Sequence, residues 1–378
     1  MKLHEPGACA GGVRPRGACG VALAVRRPLL IAALAGLLAL FAPAGLRGAA
    51  ADQQVRIKVV GGLADVSQYV RFEEPFWRRR ITELTDGRVA AEIVPFDRSG
   101  IRAPEMLRLL RLGVVSFGTA LLAIAAAEEP EFNAVDLPGL SPDIDALQRT
   151  VDAFRPRLET LLRERYAAEL LGVYTYPAQV LFCSRPFTGL GDLAGRRIRT
   201  SSVGQSELVE ALGAVPLVTP FAEMMNAFRA GQVECAVTGT LSGHSVGLFQ
   251  VTTHVHAMAL SWGISVFSAN ASAWAALPEE ARQAIRAGVR ALEAEIWQAA
   301  ARETGEGLAC NAGQPACPPG MRRGAMTIVP VSAADEERRR GLLTGTVLPR
   351  WIGRCGADCV EAWNRHLAPL AGMLAKLD

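Results

Sequence analysis

Gly191-Asp192-Leu193-Ala194-Gly195-Arg196-Arg197-Ile198-Arg199 is the stretch from which the fold can be read. Turn residues lead into a short run, 196–200, that reads as a strand. Reading forward, a helix at 206–212 closes on Gly213, and a strand follows at 215–218. A helix from Pro220 to Arg229 then closes on Gly231, before a strand at 233–237. Glycine just past a helical segment is the usual stop, because a side chain disfavours the left-handed turn there. A further strand is expected at 261–269. A long helix opens at Pro278, with Glu279 and Glu280 in its first turn and Ile285, Val289, Leu292 and Ile296 on its buried face.

The same alternation runs backward from this stretch. Residues 55–60 read as a strand ended by Gly61-Gly62. A helix follows with Phe72, Phe76, Arg80 and Leu84 at four-residue spacing, and Thr85-Asp86-Gly87 stops it. Strands at 88–94 and 114–119 flank a short helix at 104–112, residues 146–171 read as helical, and 174–184 as one strand. Strands alternating with helices place the chain in the α/β class with mainly parallel sheet.

The N-terminus has a different character. Arg26 and Arg27 precede a nearly unbroken apolar run, 29–42, and then Gly48, Ala49, Ala50 and Ala51. This is the pattern of a secretory signal peptide, and the run is short for a bilayer span of roughly 20 residues. Cleavage is expected after Ala51, with release into the periplasm, and residues before Arg26 carry no fold. Net charge is +3. No basic block interleaves with aromatics, so nucleic acid is not implied as a partner.

Eight cysteines are present, of which Cys9 and Cys19 fall in the leader. Cys310, Cys317, Cys355 and Cys359 cluster near the C-terminus, and in an exported chain they suggest disulfides. Local pairing, Cys310–Cys317 and Cys355–Cys359, is the first choice among three possible. A zinc site lacks the spacing and a histidine nearby. Cys183 and Cys235 lie in apolar, strand-like runs and read as free buried thiols.

Several local motifs, taken in order, resemble the substrate-binding proteins of TRAP (tripartite ATP-independent periplasmic) transporters over roughly 55–306. They are Glu83 to Val89, Glu105 to Gly113, Leu137-Pro138-Gly139-Leu140, Gly191 to Arg199, Leu212 to Pro216, Phe221 to Met224, Ala227 to Val233 and Trp274 to Pro278. The resemblance implies a two-lobed periplasmic-binding-protein fold with a hinge and a long lobe-spanning helix. Lobe I would be 52–176 with 264–303, and lobe II 177–263 with 304–378, after a signal peptide at 1–51. It implies a monomer that binds a small organic acid, without catalysis, cofactor or metal, and delivers it to the integral membrane subunits of a TRAP-type transporter.

In that family the arginine ending the motif's strand holds the ligand carboxylate through two hydrogen bonds, and here that position is Arg199. A planar, always-charged guanidinium suits this task on physical grounds alone. Many relatives place a second arginine where this chain has Gln179, and an asparagine near Thr238. Arg98 and Arg102, in the loop after the second strand, are candidates to supply the missing charge. Phe221 and Trp262 are candidates to pack against the ligand, since pockets are lined mainly by apolar and aromatic groups.

A rival motif is Gly243-His244-Ser245-Val246-Gly247, a G-x-S-x-G match that would make the chain a secreted α/β serine hydrolase, with Asp335 and His366 as partners. An elbow needs its serine on a tight strand-to-helix turn, whereas residues 238–242 intervene after the strand. His254 and His256 form an H-x-H pair without an evident third metal ligand.

Overall fold

The computed structural model describes residues 54–377, and the expected signal peptide lies outside them. Among these residues eleven strands run in chain order: β1 (Val55–Gly61), β2 (Val89–Pro95), β3 (Phe117–Leu121), β4 (Ala168–Thr175), β5 (Gln179–Cys183), β6 (Arg197–Thr200), β7 (Val215–Val218), β8 (Cys235–Gly239), β9 (His254–His256), β10 (Ile264–Asn270) and β11 (Thr327–Val329). They form two sheets, ordered β2-β1-β3-β10-β4 and β11-β9-β5-β8-β6-β7.

In the first sheet β1 is parallel to β2 and β3, while β10 runs antiparallel to both β3 and β4. In the second, β6 is parallel to β7 and β8, and β5 is antiparallel to β8. β10 is buried along its whole length, its serines Ser265 and Ser268 included, as a strand covered on both faces must be. Helices cover the first sheet with Phe76, Trp77 and Ile81 from one segment and Ile285, Val289, Leu292 and Ile296 from another, against Phe267 and Tyr174. Burying each of these large side chains contributes about 1.5–3 kcal/mol, so Phe267→Ala, at the centre of the cluster, would cost about 3–5 kcal/mol.

The helix Glu279–Asn311 packs on β4 and then on the short helix Thr240–Ser245 behind the second sheet, so one helix touches both lobes. Gly307 permits that second contact, because a Cβ there would collide with the backbone of Thr240 and Leu241. β4 stops at Thr175, three residues intervene before β5 begins the other sheet, and the chain returns through Trp262-Gly263 into β10. Gln179 and Ser261 form an isolated bridge where the two crossings meet.

Several local expectations change. Residues 174–184 form the end of one strand and the start of another in a different sheet, with Pro177, which has no N–H to donate, at the break. The helix expected over 146–171 is Ile144–Tyr166; Ala167 turns left-handed and the chain enters β4. Leu84 is exposed, outside the buried face of its helix.

Cys183 and Cys235, expected as free thiols, are disulfide-bonded. They are direct partners across β5 and β8, with Cα atoms 4.1 Å apart. Cys310–Cys317 and Cys355–Cys359 are paired as the local choice expected. No helix among the described residues is long and apolar enough to cross a membrane.

Candidate ligand-binding site

Parallel strands place their carboxyl ends along one edge, the usual place for ligands in α/β sheets. In the second sheet the ends of β6, β7 and β8 share an edge with the start of β5. Arg199 projects there from β6 and is 2% exposed. Its Nε donates to Thr219 O and its Nη1 to Val237 O, both at 2.9 Å. No carboxylate among the described residues pairs with it, and Nη2 has no hydrogen-bond partner among them. Burial pulls the guanidinium down to about 10, so it stays charged at neutral pH. A buried cation held only by main-chain carbonyls is electrostatically incomplete.

Thr238 lies on the neighbouring strand β8 and is buried. Gln179 opens β5 at the same edge, but its side chain is already occupied. Its Nε2 donates to Trp262 O at 3.1 Å, and its Oε1 accepts from Gln205 Nε2 at 2.6 Å. Gln205 Nε2 also donates to Ser261 Oγ at 3.0 Å, while its Oε1 accepts from Ser201 N and Oγ. Two amides therefore satisfy each other where a second arginine would stand.

The remaining expected residues are placed differently. Trp262 is buried in the return crossing, with its indole N–H donating to Ser141 O at 3.0 Å. Phe221 is half-buried at the turn after β7. Arg102 is exposed and ion-paired with Glu105, three residues away. Arg98 is likewise exposed and pairs with Asp65 at 2.6 Å. Two surface cavities, of about 250 Å³ beside Arg149 and Arg340 and about 500 Å³ beside Asp152 and Arg290, include none of these residues.

Polar groups at the edge of the first sheet escaped the sequence reading. Glu73 is fully buried and accepts from Gly62 N and Gln68 Nε2, both at 2.6 Å. Burial raises its carboxyl to about 7. A Cβ on Gly62 would meet the Gln68 amide at 3.2 Å and the Tyr176 hydroxyl at 3.3 Å, so these four residues form one cluster. Gln68 Oε1 is buried without a hydrogen-bond partner. Asp136, also raised to about 7 by burial, accepts from the backbone N–H groups of Trp262 and Gly263. Glu73 carried a detectable signal: helical spacing puts it on the face of Tyr69, Phe76 and Trp77, an acid at a core position. Asp136 follows no such periodicity.

The rival motif loses its geometry. Ser245 ends the helix Thr240–Ser245 and donates to Leu241 O, and Gly243 lies inside that helix. Asp335 is engaged by His256 Nε2 at 3.3 Å and by Ser332 and Leu190 N, while His366 packs edge-on against Phe154. The proposed triad partners are thus committed elsewhere. His256 Nδ1 accepts from Met258 N, which makes its Nε2 the donor to Asp335. No group of three metal-ligating side chains occurs among the described residues.

Comparison with known proteins agrees with this architecture. DctP7 of Bordetella pertussis, an extracytoplasmic solute receptor binding pyroglutamic acid, superposes with a TM-score of 0.73 at 22% identity, over 82% of this chain and 99% of that one. A TRAP periplasmic solute-binding protein from Desulfovibrio salexigens with bound orotic acid gives a TM-score of 0.73 at 17% identity, over 84% and 99%. The C4-dicarboxylate-binding periplasmic protein DctP of Rhodobacter capsulatus is 27% identical over 155 residues, which span 40% of this chain and 46% of that protein. The match therefore spans under half the length of that curated relative. The family model for bacterial extracellular solute-binding protein, family 7, matches residues 70–309, more than half of the chain, and the chain belongs to that family.

Proposed function

We propose that this protein is a periplasmic receptor that captures a small organic acid between its lobes and presents it to a TRAP-type membrane transporter, without catalysing a reaction. The observation that carries this reading is Arg199, a buried guanidinium with no carboxylate partner among the described residues. A ligand carboxylate would complete it, because a planar fork matches a carboxylate by two parallel hydrogen bonds. Thr238 would stand beside it, with Phe221 and Trp262 in the surrounding wall. The lobes 52–176 with 264–303 and 177–263 with 304–378 would close around the acid, hinged at the two crossings. The relatives' ligands, pyroglutamic acid and orotic acid, are small acids of this kind. The segment 1–51 would direct export and be removed from the mature protein.

The test is a thermal-shift screen across organic acids, followed by calorimetry of Arg199→Ala and Arg199→Lys. Binding to the native state raises the melting temperature. Loss of one partner of a buried charged pair costs about 2–5 kcal/mol, or roughly 30- to several-thousand-fold in affinity. Lysine should restore little, because it offers a point charge without the fork. Undiminished affinity in Arg199→Ala would defeat the proposal.

A further inference from the structure

We infer that the ligand carries a single carboxylate and a neutral remainder, and that dicarboxylates are rejected. This rests on the reading of Arg199 as the carboxylate anchor. It follows from an inventory of charge around Gln179 and the end of the first sheet next to it. In the second sheet, the position able to hold another cation is Gln179, and that amide is closed in a relay with Gln205, Ser261 and Trp262 O. The relay is neutral: Gln179 gives a donor to Trp262 O and its carbonyl oxygen to Gln205, whose amide also donates to Ser261 Oγ.

Nearby cations are committed elsewhere. Arg98 is paired with Asp65, Arg102 with Glu105 and Arg71 with Glu303. Arg196 gives its donors to the carbonyls of Asp192, Arg185 and Pro186. The neighbouring end of the first sheet, linked to Gln179 through Gly263, Tyr176 and Gly62, presents the opposite character. Glu73 is buried there behind Gly62, and Asp97 accepts from Ala64 N at 3.0 Å. Gln68 keeps a buried carbonyl oxygen without a donor. A second carboxylate would lose its water against this wall, beside acids and an unsatisfied acceptor, with no cation to offset the cost. A neutral N–H or O–H at the same place carries no charge to desolvate.

The experiment uses the mature protein and matched pairs that differ by one charge at nearly constant shape: succinate against succinamate, glutarate against glutaramate, isophthalate against 3-carbamoylbenzoate. A broader panel of monocarboxylates, including pyroglutamate, is screened alongside by calorimetry. The best ligand should be a monoanion. In any pair that binds, the half-amide should be tighter than the diacid by at least about tenfold, the usual scale for an uncompensated charge. A diacid equal to or tighter than its half-amide overturns this inference. If Arg199→Ala still abolishes that binding, the anchor reading survives. If no acid in the panel binds, or Arg199→Ala binds unchanged, the anchor reading itself falls.

Gln179→Arg supplies a second check. In a folded variant, shown by a melting temperature near that of the wild type, the half-amide preference should fall by at least about tenfold. A preference that does not move would show that Gln179 does not set the charge of the pocket.

Discussion

Replacing Arg199 by methionine separates two roles that a buried arginine can have. A structural arginine in a buried ion pair stabilises the fold through its partner, and removing it typically costs about 3–5 kcal/mol. Arg199 has no such partner among the described residues. Burial pulls its guanidinium down to about 10. That displacement corresponds to an unfavourable contribution of about 3 kcal/mol at ~1.4 kcal/mol per pH unit. The sign is that of a cation with a lowered folded-state pKa: the penalty is fully present at neutral pH and is relieved only as pH rises through about 10.

Against that penalty stand two hydrogen bonds to Thr219 O and Val237 O, each worth about 1.5–3 kcal/mol with a charged donor. The terms nearly cancel. Arg199→Met should therefore change ligand-free stability by no more than about 3 kcal/mol, or roughly 6–12 °C in melting temperature. The stabilisation by ligand, about 2.7 kcal/mol at a hundredfold excess over Kd, should vanish. Differential scanning calorimetry with and without the acid measures both quantities. A ligand-free loss above about 4 kcal/mol, with the ligand-induced shift retained, would mean that Arg199 is a structural residue.

Three further outcomes are expected. Glu73 is raised to about 7 by burial, so the native state holds a proton that the unfolded state releases. Stability should therefore fall as pH rises from about 4.5 to 7 and level off above, and Glu73→Gln should make that slope shallower in urea unfolding at pH 5 and 8, leaving the share of Asp136; an unchanged slope would refute burial of the ionisable acid. Peptide mapping under non-reducing conditions should recover Cys183–Cys235. Its 52-residue separation predicts about 4 kcal/mol lost on Cys183→Ser with Cys235→Ser, against about 2 kcal/mol for the seven-residue Cys310–Cys317 loop. Gly307→Ala should destabilise by about 1–3 kcal/mol, because its Cβ meets the backbone of Thr240 and Leu241, which has little freedom to move; chemical denaturation showing no loss would mean the two helices separate there.

Local chemistry made much of this protein legible before folding. The alternation of apolar runs with Gly213, Gly231 and Gly87 was enough to find most strands and helices, because a helix stop and a strand period depend on residues close in sequence. The run ending at Arg199 marked the one cation worth following. What sequence could not supply depended on residues distant in the chain. The division of 174–184 between two sheets is decided by pairing with Ser261 and with β10, more than eighty residues away. Cys183 meets Cys235 only because β5 lies antiparallel to β8. Gln179 looked like an open position beside the ligand until Gln205, on a separate helix, closed its amide. Asp335 was a candidate for catalysis until His256 and the N-terminus of its own helix claimed it. A side chain's type determines which partners it can accept, but only the tertiary structure decides whether those partners are already supplied by the protein or left for a ligand.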